Sequence, residues 1–173
     1  MEINTANMEN DLEKLLGMYW NLNSKVPVML VFLRHTGCMF CREALQDISR
    51  VRSKLEGKGV KIVLVNLSDE DSLISLLEKY NLQDLMVIQD KERRLYQYFK
   101  LNEFRAIQLL NPKIIFRGIG ALMNKNFQSK PTGVAKQLSG MFLIYEGKVI
   151  KTFYQVLPSD RPDYAEFGEC IIN

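Results

Sequence analysis

The chain has 173 residues, 47% of them apolar, and its 23 basic and 20 acidic residues leave a net charge of +3. That size fits one compact domain with a substantial core, expected to span residues 1–173 with an irregular insertion at about 102–139. The charges are scattered and the densest basic cluster is only "KERR" at Lys91 to Arg94, which excludes nucleic acid as a main partner, and no apolar run approaches the roughly 20 residues that span a bilayer.

From the N-terminus, Leu12, Leu15, Leu16 and Tyr19 recur at i, i+3, i+4 and i+7, which predicts an amphipathic helix over residues 8–21. The opening "MEINTANMENDLEK" lacks the basic and apolar regions of a secretory leader. A reducing cytoplasm is therefore expected, where a C-x-x-C is reactive or metal-bound rather than a structural disulfide. "VPVMLVFL", Val26 to Leu33, is a continuous apolar run, as expected of a strand covered on both faces. Phe40, Ala44, Leu45, Ile48, Val51 and Leu55 then mark one face of a helix ending at Gly57 and Gly59.

"VKIVLVNL", Val60 to Leu67, predicts a second buried strand. Ser68, with Asp71 three residues on, predicts the N-cap of a helix whose apolar face is Leu73, Ile74, Leu77 and Tyr80. "LMVIQ", Leu85 to Gln89, makes a third strand, and Asp90 opens another helix through "KERRLYQYF". Between Asn102 and Ser139 the pattern blurs, interrupted by Gly118 and Gly120, and reads as irregular. "MFLIY" and "KVIKTFYQV" follow, joined by Glu146 and Gly147 as a two-residue hairpin turn, and a short helix after Pro162 closes the chain. A β-α-β start with right-handed crossovers and an antiparallel hairpin at the end is the thioredoxin-like α/β arrangement, with helices on both faces of the sheet.

The chemistry concentrates in "LRHTGCMFCREAL", Leu33 to Leu45. In open α/β sheets the site lies beyond the carboxyl ends of the parallel strands, and Thr36 to Cys41 occupies that place after the first strand. Cys38 falls at a helix N-terminus, where free N–H groups and the helix dipole favour a thiolate. Arg34, His35, Thr36 and Arg42 are the candidates that tune it. Cys41, one turn deeper and more enclosed, resolves what Cys38 attacks. Other readings stand beside this one: two buried small residues, or zinc, for which only His35 and the remote Cys170 could complete a ligand set. Cys170 in the terminal "CIIN" follows an acidic stretch and ends in Asn, against lipidation. Nothing in the sequence names a cofactor or a resident metal.

"VFLRHTGCMFCREALQDIS", "GVKIVLVNL", "DLMVIQDKERRLYQYFKL" and "GVAKQLSGMFLIYEGKVIKTF" together resemble the AhpC/TSA-type antioxidant, or peroxiredoxin-like, family of thioredoxin-fold proteins. The strongest piece is R-H-x-x-C-x-x-C-R-E at Arg34 to Glu43. The resemblance implies an enzyme that reduces peroxides or oxidised thiols at Cys38 and Cys41, with thioredoxin or glutathione as electron donor. In place of the P-x-x-x-T-x-x-C of typical peroxiredoxins, Val31 stands at the proline position and His35 at the threonine position. The segment "QLSGMFLIY" has no proline where thioredoxins carry a cis-proline, while its Gly140 resembles the family's glycine and is a substrate-pocket candidate. A protein disulfide reductase or redox sensor, and a non-enzymatic binding domain of the same fold, are the alternatives.

Overall fold

The computed structural model describes residues 25–103 and 136–169, together with Gly17 and Pro112. The expected helix over 8–21, most of the 102–139 segment, and Cys170 lie outside the described residues. The elements run β1 (Val28–Phe32), α1 (Met39–Gly57), β2 (Lys61–Asn66), α2 (Glu70–Lys79), β3 (Met86–Gln89), α3 (Arg94–Tyr98), β4 (Gly140–Tyr145), β5 (Lys148–Tyr154) and α4 (Tyr164–Gly168). They form a five-stranded sheet in the order β3-β2-β1-β4-β5. β1, β2 and β3 pair in parallel, while β4 runs antiparallel to both β1 and β5.

β1 is central, so its side chains are buried on both faces, and their alternation divides the core in two. Met29, Val31 and Leu33 pack with Leu45 and Ile48 of α1, with Leu73 and Leu77 of α2, and with Tyr164 and Phe167 of α4. Val28, Leu30 and Phe32 point the other way, onto Leu95, Tyr96, Phe99 and Phe142. Phe32 sits in an edge-to-face aromatic cluster, with ring centroids 4.9 Å from Tyr96 and 5.6 Å from Phe142. Each fully buried side chain of this size contributes about 1.5–3 kcal/mol, which fixes the strand from which the site loop departs.

The hairpin turn is as expected: Glu146 and Gly147 both take positive φ, at 47° and 74°, as the favoured two-residue turn requires. The entry to α2 differs from expectation. Its N-cap is Asp69, whose carboxylate accepts from Ser72 N–H at 2.9 Å. Ser68 is fully buried and its hydroxyl accepts from Thr36 N–H at 3.0 Å, so it serves the site loop instead. Ile74 is 46% exposed, and Leu76 takes its place on the buried face with Leu73 and Leu77. Asp90 does open α3, though across an intervening turn: its carboxylate accepts from the N–H groups of Arg94, Leu95 and Tyr96.

A dithiol held by an arginine

The first strand delivers the chain to the site and Tyr96 fixes where it leaves the sheet. The Tyr96 hydroxyl donates to the Leu33 carbonyl, so the peptide just before Arg34 is clamped from the α3 side. Thr36 is then held at both ends of its peptide, its N–H on Ser68 Oγ and its carbonyl accepting from Arg42 Nε at 3.2 Å. Cys38 is the N-cap of α1, its N–H donating to the His35 carbonyl at 3.0 Å and its own carbonyl accepting from Arg42 N–H.

Arg34 holds both sulfurs. Its backbone N–H donates to Cys41 Sγ at 3.2 Å and its guanidinium Nη1 to Cys38 Sγ at 3.3 Å. The Nε–H is spent on the Gln137 carbonyl at 2.9 Å, which tethers the loop before β4 to the site. Gln137 in turn donates its side-chain amide to the carbonyls of Leu101, Asn102 and Leu138, and Glu103 and Gln137 form an isolated antiparallel bridge. The two ends of the 102–139 segment therefore meet beside the cysteines.

Both cysteines are free thiols with opposed acidities. Cys38 is lowered to about 6, first by the hydrogen bond from the Cys41 thiol and then by Arg34, against the opposing effect of burial. Burial, together with that same hydrogen bond and the neighbouring Cys38 charge, pushes Cys41 well above the usual thiol range. At neutral pH the pair is thus a thiolate at Cys38 beside a protonated Cys41. The expected contrast in enclosure does not hold, because Cys38 is 2% exposed and Cys41 4%.

Of the tuning candidates, Arg34 contacts Cys38 directly and Arg42 is committed to Thr36. His35 is buried and held at about 4, by burial first and then by Arg34 and Arg42, so it is neutral at neutral pH. Its Nδ1 is buried without a hydrogen-bond partner. Gly140, the first residue of β4, lines a small cavity beside Cys41. A Cβ there would meet the Leu101 side chain and lie 3.1 Å from the Phe153 carbonyl, so close packing explains the glycine. No cis peptide bond and no cluster of metal-ligating side chains occurs among the described residues. Sequence reasoning did not single out Gln137, Tyr96, Ser159 or Arg161, whose neighbours lie far away along the chain.

The fold and the paired cysteines define a thioredoxin-fold thiol protein. The chain belongs to the AhpC/TSA family, whose model matches residues 18–118, more than half its length, and this places it among thiol-dependent redox proteins. The chain is also similar to proteins named prostamide/prostaglandin F synthase. The one from Danio rerio is 24% identical over 162 residues, covering 90% of this chain and 78% of the relative. The one from Salmo salar is 28% identical over 142 residues, covering 78% and 68%.

Among solved structures, peroxiredoxin 6 of Arenicola marina superposes with a TM-score of 0.58 at 11% identity, over 90% of this chain and 61% of that one. Peroxidoxin BcpB from Mycobacterium tuberculosis gives 0.53 at 14% identity, over 84% and 76%. At these identities the likeness is one of fold. No helix among the described residues is long and apolar enough to cross a membrane.

Proposed function

We propose that the protein is a single-domain, cytoplasmic thiol oxidoreductase in which Cys38 attacks the O–O bond of a small peroxide and Cys41 resolves the product. The observation that carries this reading is the reach of Arg34 to both sulfurs, at 3.3 Å and 3.2 Å. One residue thereby steadies the attacking thiolate and orients the thiol that follows it. The Cys38 thiolate takes one peroxide oxygen to become a sulfenic acid, and the other oxygen leaves as an alcohol or water after taking up a proton. Cys41 then displaces that oxygen as water and forms the Cys38–Cys41 disulfide. Two electrons from thioredoxin or glutathione thiols restore the dithiol.

Burial favours a small oxidant over a protein disulfide. A folded partner, whether a disulfide substrate or thioredoxin as donor, would have to present its sulfur in line with a Cys38 that is 2% exposed, so of the two donors glutathione suits the buried site better; the Gln137 carbonyl beside the site is already taken by Arg34. A second reading, in which the substrate is a prostaglandin-type lipid, is favoured by the names of the similar proteins. The test is consumption of hydrogen peroxide and an alkyl hydroperoxide, coupled to thioredoxin or to glutathione, beside formation of prostaglandin F. Peroxide turnover that is lost in Cys38→Ser supports the first reading, and prostaglandin F formation alone supports the second. Neither activity would overturn both.

A further inference from the structure

The peptide unit between Leu33 and Arg34 is hydrogen-bonded at both ends. Its N–H, that of Arg34, donates to Cys41 Sγ at 3.2 Å. Its carbonyl, that of Leu33, accepts from the Tyr96 hydroxyl, which comes from 63 residues further along the chain. A phenol, an amide and the resolving sulfur thus form one chain of hydrogen bonds. Tyr96 is held firmly for this contact. It is 1% exposed, its ring centroid lies 4.9 Å from that of Phe32, and its own N–H donates to the Asp90 carboxylate at 3.2 Å. The hydroxyl also reaches the Val65 carbonyl at 3.2 Å, so it sits beside the carboxyl ends of both β1 and β2. Burial first, then the charges of Cys41 and Asp90, push the phenol well above its usual range. Tyr96 therefore keeps its proton and remains a donor.

We infer that Tyr96 is a positioning residue for the resolving step: by donating to the Leu33 carbonyl it aligns and polarises the amide that holds Cys41 sulfur. The inference rests on the proposed roles of Cys38 and Cys41. Hydrogen bonds in series strengthen one another. A proton donated to the carbonyl draws electron density from the amide, and the Arg34 N–H becomes a stronger donor to sulfur. That donor matters most when the sulfur is charged, because hydrogen bonds to ionised groups are the strong ones. Cys41 must pass through its thiolate to resolve Cys38, and burial opposes that form. The Tyr96 proton itself stays on its oxygen throughout.

In the resolving step Cys41 gives up its S–H proton and attacks the Cys38 sulfenic sulfur. The S–S bond forms, the S–O bond breaks with its electron pair on oxygen, and that hydroxide takes up a proton and leaves as water. A second molecule of hydrogen peroxide competes for the same sulfenic acid, giving one oxygen to the sulfur to make a sulfinic acid while the other leaves as water. The ratio of disulfide to sulfinic acid therefore reads the resolving step against peroxide concentration. Tyr96 sets how much peroxide the protein withstands before Cys38 is over-oxidised.

The experiment measures that ratio by peptide mass spectrometry across a hydrogen peroxide series at neutral pH, in full-length protein carrying Cys170→Ser. Loss of one hydrogen bond's net contribution lowers the Cys41 thiolate population by about 2- to 12-fold, and the better nucleophilicity of a more basic thiolate returns a little under half of this on a logarithmic scale. Tyr96→Phe should accordingly reach half over-oxidation at about 2- to 4-fold less peroxide than the parent. Protein with 3-fluorotyrosine incorporated in place of Tyr96 has a more acidic phenol, a stronger donor of nearly the same shape, and should withstand more peroxide than the parent. This second comparison decides the matter even where the Phe variant does not fold, because a residue that only fills space gains nothing from a stronger donor. A fluorinated protein that withstands no more peroxide than the parent, or a Phe variant slowed equally in the first oxidation of Cys38 and in resolution, would overturn the assignment while leaving the dithiol reading intact. Failure of the parent to form the Cys38–Cys41 disulfide at all would overturn both.

Discussion

Replacing Arg34 with Gln removes the guanidinium that lies 3.3 Å from Cys38 Sγ. A neighbouring opposite charge at that range moves a pKa by about 1–3 units, so a two-unit rise takes Cys38 from about 6 to about 8. The thiolate fraction near pH 7 then falls about tenfold, from about 90% to about 10%. A more basic thiolate is also a better nucleophile, with a slope of about 0.4–0.5 per pKa unit, which returns about eightfold. The two effects nearly cancel at neutral pH, and a single-pH assay would miss the change. Near pH 5 the population loss grows to about a hundredfold and the variant should be about tenfold slower; near pH 9 it should be several-fold faster. The assay is the rate of Cys38 reaction with a small aromatic disulfide across this range, assigned to Cys38 by peptide mass spectrometry. A variant slower by the same factor at every pH would refute the reasoning, since that is the signature of altered access and not of altered basicity.

The Cys41 thiol is the largest cause of the low Cys38 pKa, so Cys41→Ala should raise it and Cys41→Ser, which keeps a donor, should fall between; thiolate absorbance against pH measures both. His35 has a folded pKa of about 4 against 6.5 unfolded, so the unfolded chain binds its proton more readily. Its contribution to stability is therefore fully present above about pH 6.5 and lost as pH falls toward 4, and His35→Gln should flatten that part of the urea-midpoint profile relative to wild type. Leu30 is fully buried on β1, and Leu30→Ala should cost about 2–5 kcal/mol by urea unfolding. Gly140→Ala, set against the Leu101 side chain and the Phe153 carbonyl, should cost about 1–3 kcal/mol in the same assay.

The sheet was legible because its strands are continuous apolar runs bounded by turn residues, and β1, which is buried on both faces, gives the plainest such signal. Cys38 at the head of α1 followed from the place where that run ends. Local hydrogen bonding was harder to read. Ser68 has the chemistry of an N-cap, yet its hydroxyl is taken by Thr36 N–H across a loop contact that no spacing rule contains. The roles of the basic residues were equally hidden: Arg34, His35 and Arg42 look alike as nearby positive potential. One of them reaches both sulfurs, one is neutral, and one holds a carbonyl. Gln137 carries no motif at all, because its importance comes from a tether to a partner 103 residues away.

The central claim is that Cys38 and Cys41 form one redox pair. Its most direct test is peptide mass spectrometry of the reduced protein after treatment with one equivalent of hydrogen peroxide, beside the Cys41→Ser variant. A Cys38–Cys41 disulfide is expected in the wild type, and a sulfenic acid or mixed disulfide confined to Cys38 in the variant. Two unmodified thiols in the wild type, or oxidation at Cys170 alone, would contradict it.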